Sequence, residues 1–151
     1  LVANYLDGEY TDFHACFPYT DINGVGQCAP IEGQQLQRQP KLRFMFTPSY
    51  KFVFDWGDIM PYVTYTHVGD HTQDQSGLQQ LGSYYTVDFG VTANVGQHWQ
   101  FNLRGTNVTD EFGLTESNSR IFGSAVSGAE NVLLARPMEG REINFQAKYL
   151  W

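Results

Sequence analysis

The chain has 151 residues, of which 15% are aromatic and 17% charged, with a net charge of -7. The length suits one domain with a sizeable core, while the acidic balance and nine dispersed Lys and Arg exclude a nucleic-acid partner, which needs clustered basic side chains. No apolar run reaches the ~18 residues of a membrane-crossing helix, a test that leaves barrel strands untouched because alternation hides them from hydropathy.

The mean hydropathy is -0.36 although 42% of residues are hydrophobic. Aromatic and β-branched residues spread among polar ones suit strands with one apolar and one polar face, so the class is all-β. The first strand is expected over about Val2 to His14, followed by a long loop from about Ala15 to Gln39. The second strand alternates Leu42, Phe44, Phe46, Tyr50, Phe52 and Phe54 with Arg43, Met45, Thr47, Ser49, Lys51 and Val53. Pro48 falls on its apolar side and marks a local bend or bulge. The run "DWGD" (Asp55 to Asp58) makes a tight turn into a third strand, about Ile59 to Val68. After a medium loop, the fourth strand places Tyr85, Val87, Phe89, Val91, Ala93 and Val95 on one face. A short turn at "GQH" leads to a fifth, with Trp99, Phe101 and Leu103 against Gln100, Asn102 and Arg104. The longest loop covers about Thr109 to Met138, and the sixth strand closes the sequence with Ile143, Phe145, Ala147, Tyr149 and Trp151 alternating with polar residues.

The loops run long, short, medium, short, long, the rhythm of an antiparallel up-and-down transmembrane β-barrel with short periplasmic turns and longer external loops. Aromatic residues cluster at one end: Phe52, Phe54 and Trp56 beside one short turn, Trp99 and Phe101 beside the other, Tyr149 and Trp151 at the C-terminus. At one level they form part of an aromatic girdle, with the C-terminus on the periplasmic side of a bacterial outer membrane. Six strands cannot close a barrel of their own, and an open sheet in lipid leaves two unsatisfied edges. Residues 1–151 are therefore expected to be the C-terminal part of a longer barrel, also because the start lacks an initiator Met or signal peptide. A soluble secreted β-sandwich binding module is the alternative from a different class, and a passive porin-like channel the alternative within the membrane.

Few residues recommend themselves for chemistry. Cys16 and Cys28 flank a stretch rich in turn residues. No second Cys pair or nearby His pair completes a metal site, and a disulfide closing an exposed loop in an oxidising compartment fits better than two unrelated thiols. His67, His71 and Asp74 stand near one another at a loop lip, but i and i+4 do not share a face there, so they read as solvated surface groups; His14 and His98 stand alone. No nucleophile elbow, phosphate loop or zincin motif occurs, nothing recommends Ser124, Ser127 or His71 as a hydrolase set, and no cofactor and no enzymatic activity are expected. Arg43, Lys51, Asp88, Arg104, Glu142 and Lys148 fall on the polar side of their strands, where they read as an ordinary water-facing wall, with pairs such as Lys148 and Glu142 contributing little, in preference to a lumen that contacts a plug or guides an anionic ligand. Arg120 and Arg136 lie in the longest loop, where an anionic ligand would meet them.

The stretch "WQFNLRGTNVTDEFGLTE" resembles the penultimate strand and following loop of TonB-dependent outer-membrane receptors, which carry an "NLTD"-like motif there. The segment "ARPMEGREINFQAKYLW" resembles their closing strand, with Arg136-Pro137, Gly140-Arg141 and then alternation to a terminal aromatic. "YLDGEYTDF", a Cys-containing loop and "GQQLQRQPKLRF" are also similar to the family, so the resemblance covers essentially the whole chain. It implies the last six strands of a barrel of about 22 strands with a plugged lumen. It also implies import of a scarce nutrient, most often a ferric siderophore. The implied partners are the rest of the barrel and its N-terminal plug, TonB, outer-membrane lipid and the barrel-assembly machinery. Phe145, Tyr149 and Trp151 match the C-terminal pattern that machinery recognises, with Trp in place of the commoner Phe.

Overall fold

A computed structural model describes residues 1–12, 14–20, 23, 25–117 and 134–151. Thirteen strands and no helix occur among these residues. The main sheet is an antiparallel meander whose path runs β1 (Val2–Tyr5), β4 (Leu42–Phe46), β6 (Gly57–Val68), β9 (Tyr84–Val95), β10 (Trp99–Thr106) and β13 (Glu142–Tyr149), with β5 (Phe52–Phe54) also on β6. Each strand pairs with its neighbour in sequence, as an up-and-down order requires. The sheet does not close, and β1 and β13 are its edges.

The longest strands form where alternation is cleanest. β6 pairs with β9 along all 12 of its residues, from Gly57 opposite Val95 to Val68 opposite Tyr84. β10 continues the same rows, Trp99 between Val95 and Tyr149, Leu103 between Val91 and Phe145. Because side chains alternate with period two, this register puts every apolar row on one face and every polar row on the other. The two tight turns and the end of β13 share one end of the sheet. At the first of them Gly57 has φ +150°, and a Cβ there would strike the Asn94 carbonyl of the neighbouring strand; only glycine fits.

Five features differ from the sequence reading. The first strand stops at Tyr5 instead of His14. Beyond it single contacts hold the chain, Leu6 N–H donating to Lys41 O at 2.9 Å and Glu9 bridging Gln35, until Asp12 turns away at φ +56°. The long loop contains a hairpin, β2 (Cys16–Thr20) and β3 (Gly26–Pro30), and the medium loop a smaller one, β7 (His71–Thr72) and β8 (Gln80–Leu81). In the longest loop β11 (Leu114–Ser117) pairs with β12 (Ala135–Pro137). Pro48 causes no bulge: Phe46 faces Tyr65, Ser49 faces Tyr62 and Phe52 faces Ile59, an unshifted register, so β4 and β5 are two halves of one strand interrupted only in their hydrogen bonds. Six strands therefore span the sheet.

The interior is not beneath the sheet. Among the described residues no large side chain is fully buried, and the buried apolar residues Ala29, Ile31, Val68 and Leu81 all lie at the end of the sheet opposite the tight turns or in the loops there. The apolar face is uncovered: Phe145 is 68% exposed and Ile143 61%. Among the described residues no second layer packs on it, as a β-sandwich would require.

Candidate functional site: a two-faced sheet and the cavity at its end

The apolar face is banded. At the turn end, Trp99 contacts Tyr149 edge-on at 5.0 Å and stacks with Phe101 at 5.9 Å, while Phe54 stacks on Trp56 at 5.0 Å. In the middle lie Pro61, Val63, Phe89, Val91, Leu103, Ile143 and Phe145. At the far end a second aromatic row appears, with Phe44 5.6 Å from Tyr65 and 5.4 Å from His67, and Tyr65 5.8 Å from Tyr85. From Gly57 to His67 the rows are ten residues apart along β6, about 33 Å of strand. A tilt of about 40–45° projects that to roughly 25 Å, the height of an outer-membrane apolar band. The sequence reading identified only the lower row. The upper one is assembled from three strands, so its signal is in the register between them.

Phe145, Tyr149 and Trp151 occupy the apolar side of β13, where Phe145 stacks with Phe101 at 6.3 Å and Trp151 meets Tyr149 edge-on at 5.3 Å. His98 does not stand alone. Its carbonyl accepts from Leu150 N–H at 2.7 Å and its Nδ1 lies 2.9 Å from Leu150 O, so it fastens the end of the closing strand.

On the polar face Lys51 pairs with Asp58 at 3.2 Å, Asn94 Nδ2 donates to Asp58 at 2.9 Å, and Thr92 Oγ1 donates to Asn102 at 3.0 Å. The expected Lys148–Glu142 pair does not form, since six residues of extended strand separate them by about 20 Å; Asn144 Nδ2 donates to Glu142 instead, at 3.0 Å. Gly90 carries the ring of Tyr62 across it, in the space its own Cβ would need.

A cavity of about 740 Å³ opens at the end of this face away from the tight turns, lined by Asp88, Arg104, Asn107, Arg136, Glu139 and Glu142 among others. Its geometry depends on Asn107, 4% exposed at φ +44°. The Asn107 backbone N–H donates to Asp88 Oδ1 at 2.8 Å, its Nδ2 to Glu111 O at 2.9 Å and Glu139 O at 3.0 Å, and its Oδ1 accepts from Glu111 N–H at 3.0 Å. One residue thus ties three elements: its backbone holds β9, and its side chain holds the turn after β10 and the approach to β13. The "NVTD" stretch is a structural clasp, and the Asp88 carboxylate is committed to it. The Arg104 guanidinium makes no hydrogen bond or ion pair with the described residues, while Arg136 lies 3.8 Å from Glu116. The cavity therefore offers a guanidinium without a partner among the described residues, beside carboxylates, suited to a polar ligand or protein segment carrying both donors and acceptors.

The remaining sequence candidates fall elsewhere. His71 and Asp74 are not surface groups, being 6% and 2% exposed. Asp74 Oδ1 accepts from Ser76 N–H and Oγ at 3.0 and 2.6 Å, and His71 Nδ1 lies 3.3 Å from Gly69 O. His67 sits apart, in the upper aromatic row. No group of three or more His, Cys, Asp or Glu side chains suited to a metal occurs among the described residues. Cys16 and Cys28 are joined by a disulfide across the β2–β3 hairpin, with Cα atoms 5.5 Å apart, inside the usual span. His14 lies 3.6 Å from Asp12 and 4.0 Å from Glu32, all well exposed. Arg120, Ser124 and Ser127 lie outside the described residues.

No protein-family model and no curated protein sequence matches the chain. Among solved structures, the ferric yersiniabactin uptake receptor FyuA from Yersinia pestis is similar in fold, with a TM-score of 0.68 at 15% identity. The match covers 82% of this chain and 18% of the receptor, so the chain spans under a fifth of the length of the structure it resembles.

Proposed function

We propose that residues 1–151 form the last six strands of a plugged outer-membrane barrel that imports a scarce nutrient, most consistently a ferric siderophore, with energy delivered through TonB. The observation that carries this reading is the banding of the uncovered apolar face, aromatic at both ends and aliphatic between, backed by a polar face. Water does not tolerate so large an apolar surface, whereas a bilayer matches it in both chemistry and height. The same bilayer requires the edges at β1 and β13 to be paired, so the sheet is a section of a closed wall. The fold likeness to part of an uptake receptor supports the transport side. On this reading the polar face lines the lumen, the remaining strands and plug complete the protein, and the cavity near Arg104 opens toward the external side.

The test is uptake in cells. A strain lacking the full-length gene should lose accumulation of at least one labelled ferric chelate under iron limitation, and the loss should be reproduced by deleting TonB. Recovery of the native protein in the soluble fraction, or unchanged uptake across a panel of chelates, would count against the reading.

A further inference from the structure

Two prolines remove their hydrogen-bond donors from the same seam. Pro48 lies opposite Val63, and Pro61, on the adjoining strand, opposite Tyr50. Each of these two pairs would exchange two backbone bonds in an ordinary antiparallel ladder. Each makes one: Val63 N–H donates to Pro48 O and Tyr50 N–H to Pro61 O, both at 3.2 Å. The reverse bonds cannot form because proline has no N–H. The Val63 and Tyr50 carbonyls therefore face proline rings.

The location is unusual. Proline in sheets is ordinarily confined to edges and bulges. Here one proline sits on β6, an internal strand, and the register through both is unshifted. Pro61 points its missing donor at the β4/β5 side, so the seam between β6 and β9 keeps its full register. On the apolar face the gap coincides with a notch of about 300 Å³, lined by Pro48, Tyr50, Phe52, Pro61 and Val63 with edges of Ser49 and Tyr62. On the polar face two side-chain contacts bracket it, Thr47 Oγ1 to Thr64 Oγ1 at 3.0 Å and Lys51 to Asp58 at 3.2 Å.

We infer that the β4/β5–β6 seam is a built-in line of local opening, in which the wall separates between Pro48 and Pro61 while the seams on the far side of β6 stay closed. Fewer bonds per residue, both of them long, and a shallow notch on one face lower the free energy of local opening where they coincide. The polar contacts at either end limit its length to a few residues and keep the register from slipping when it recloses.

Hydrogen exchange on the full-length protein in detergent or nanodiscs tests it. The amides of Tyr50 and Val63 should exchange at least about tenfold faster than those in the β6–β9 seam, the factor expected for roughly one lost bond. Pro48→Val and Pro61→Val, which restore the donors, should each slow them. If a valine variant fails to assemble, a disulfide staple from Thr47→Cys with Thr64→Cys supplies the second arm: oxidation should slow the Tyr50 and Val63 amides, and reduction should restore them. Exchange at these two amides equal to that of the β6–β9 seam would overturn the inference, as would a staple that leaves them unchanged.

Discussion

Asp110 holds Arg141 twice. Its Oδ1 accepts from the Arg141 backbone N–H at 3.2 Å and its Oδ2 lies 3.8 Å from the guanidinium, across a sequence gap that contains the whole β11–β12 excursion. Beside it the Asn107 side chain reaches the Glu139 carbonyl. The two stretches that resemble family motifs, "NVTD" and "GRE", are thus one structural unit: the first clamps the backbone from which the second starts the closing strand.

The two anchors should differ in strength. Asn107 is buried and its side chain makes three hydrogen bonds at a positive φ, so Asn107→Ala should cost about 2–4 kcal/mol. Asp110 is exposed, and Asp110→Asn, which tolerates its φ of +56°, should cost under about 1 kcal/mol. Denaturant unfolding of the two variants checks the order; equal losses would contradict it.

Gly90 and Tyr62 should behave as a coupled pair. An added methyl group at position 90 meets the Tyr62 ring, so Gly90→Ala should destabilise by about 1–3 kcal/mol. In a Tyr62→Ala background the same change should cost much less, because the clashing ring is gone. A double-mutant cycle reads the coupling directly, and additive effects would show that the ring does not lie across the glycine.

Charge on the apolar face should report where that face is. Leu103 lies in the aliphatic band and is already 37% exposed. Facing water, Leu103→Arg would be nearly neutral; facing the middle of a bilayer it should cost about 2–4 kcal/mol, and Val95→Arg at the rim only about 0–1. Gln146→Arg, on the polar face, is the control and should be tolerated. Reversible folding into vesicles measures all three.

The disulfide should act locally. The β2–β3 hairpin carries its own staple, Cys16 to Cys28, and closing a loop of that length stabilises by about 3 kcal/mol. Paired Cys→Ser changes should raise protease cleavage within residues 16–30 many-fold, with the melting of the main sheet little changed. A large shift in the main transition would mean that the hairpin is integral to the wall.

Alkaline pH should loosen the start of the sheet. The hydrogen bond from Lys41 to Asp7, 2.8 Å long, with the charge of Asp7 raises the Lys41 pKa above its ordinary 10.5. A raised folded pKa means that this contribution is fully present below 10.5 and is lost as pH climbs through the folded value. Exchange or cleavage at Tyr5–Leu6 should rise in that window in the wild type and should already be elevated, without that pH step, in Lys41→Met.

Much of the wall is legible from alternation alone, because a strand with one face in an apolar medium must repeat every two residues. That rule places β6, β9, β10 and β13 and assigns Glu142, Lys148, Arg104 and Asp88 to the polar side. It fails at Val2 to His14, where only the part with a paired neighbour stays in the main sheet. It fails also at Pro48, whose effect depends on the donor geometry of the strand opposite.

The sequence by itself therefore determined the all-β class, the faces of the regular strands and the end at which the lower aromatic row gathers. Tertiary structure alone decided the upper row, the Asn107 clasp, the burial of His71 and Asp74 and the seam between Pro48 and Pro61. The physical reason is one of range. Periodicity is written in neighbours along the chain, whereas each of these features is a relation between residues brought together by register, and a register is fixed only when whole strands pair.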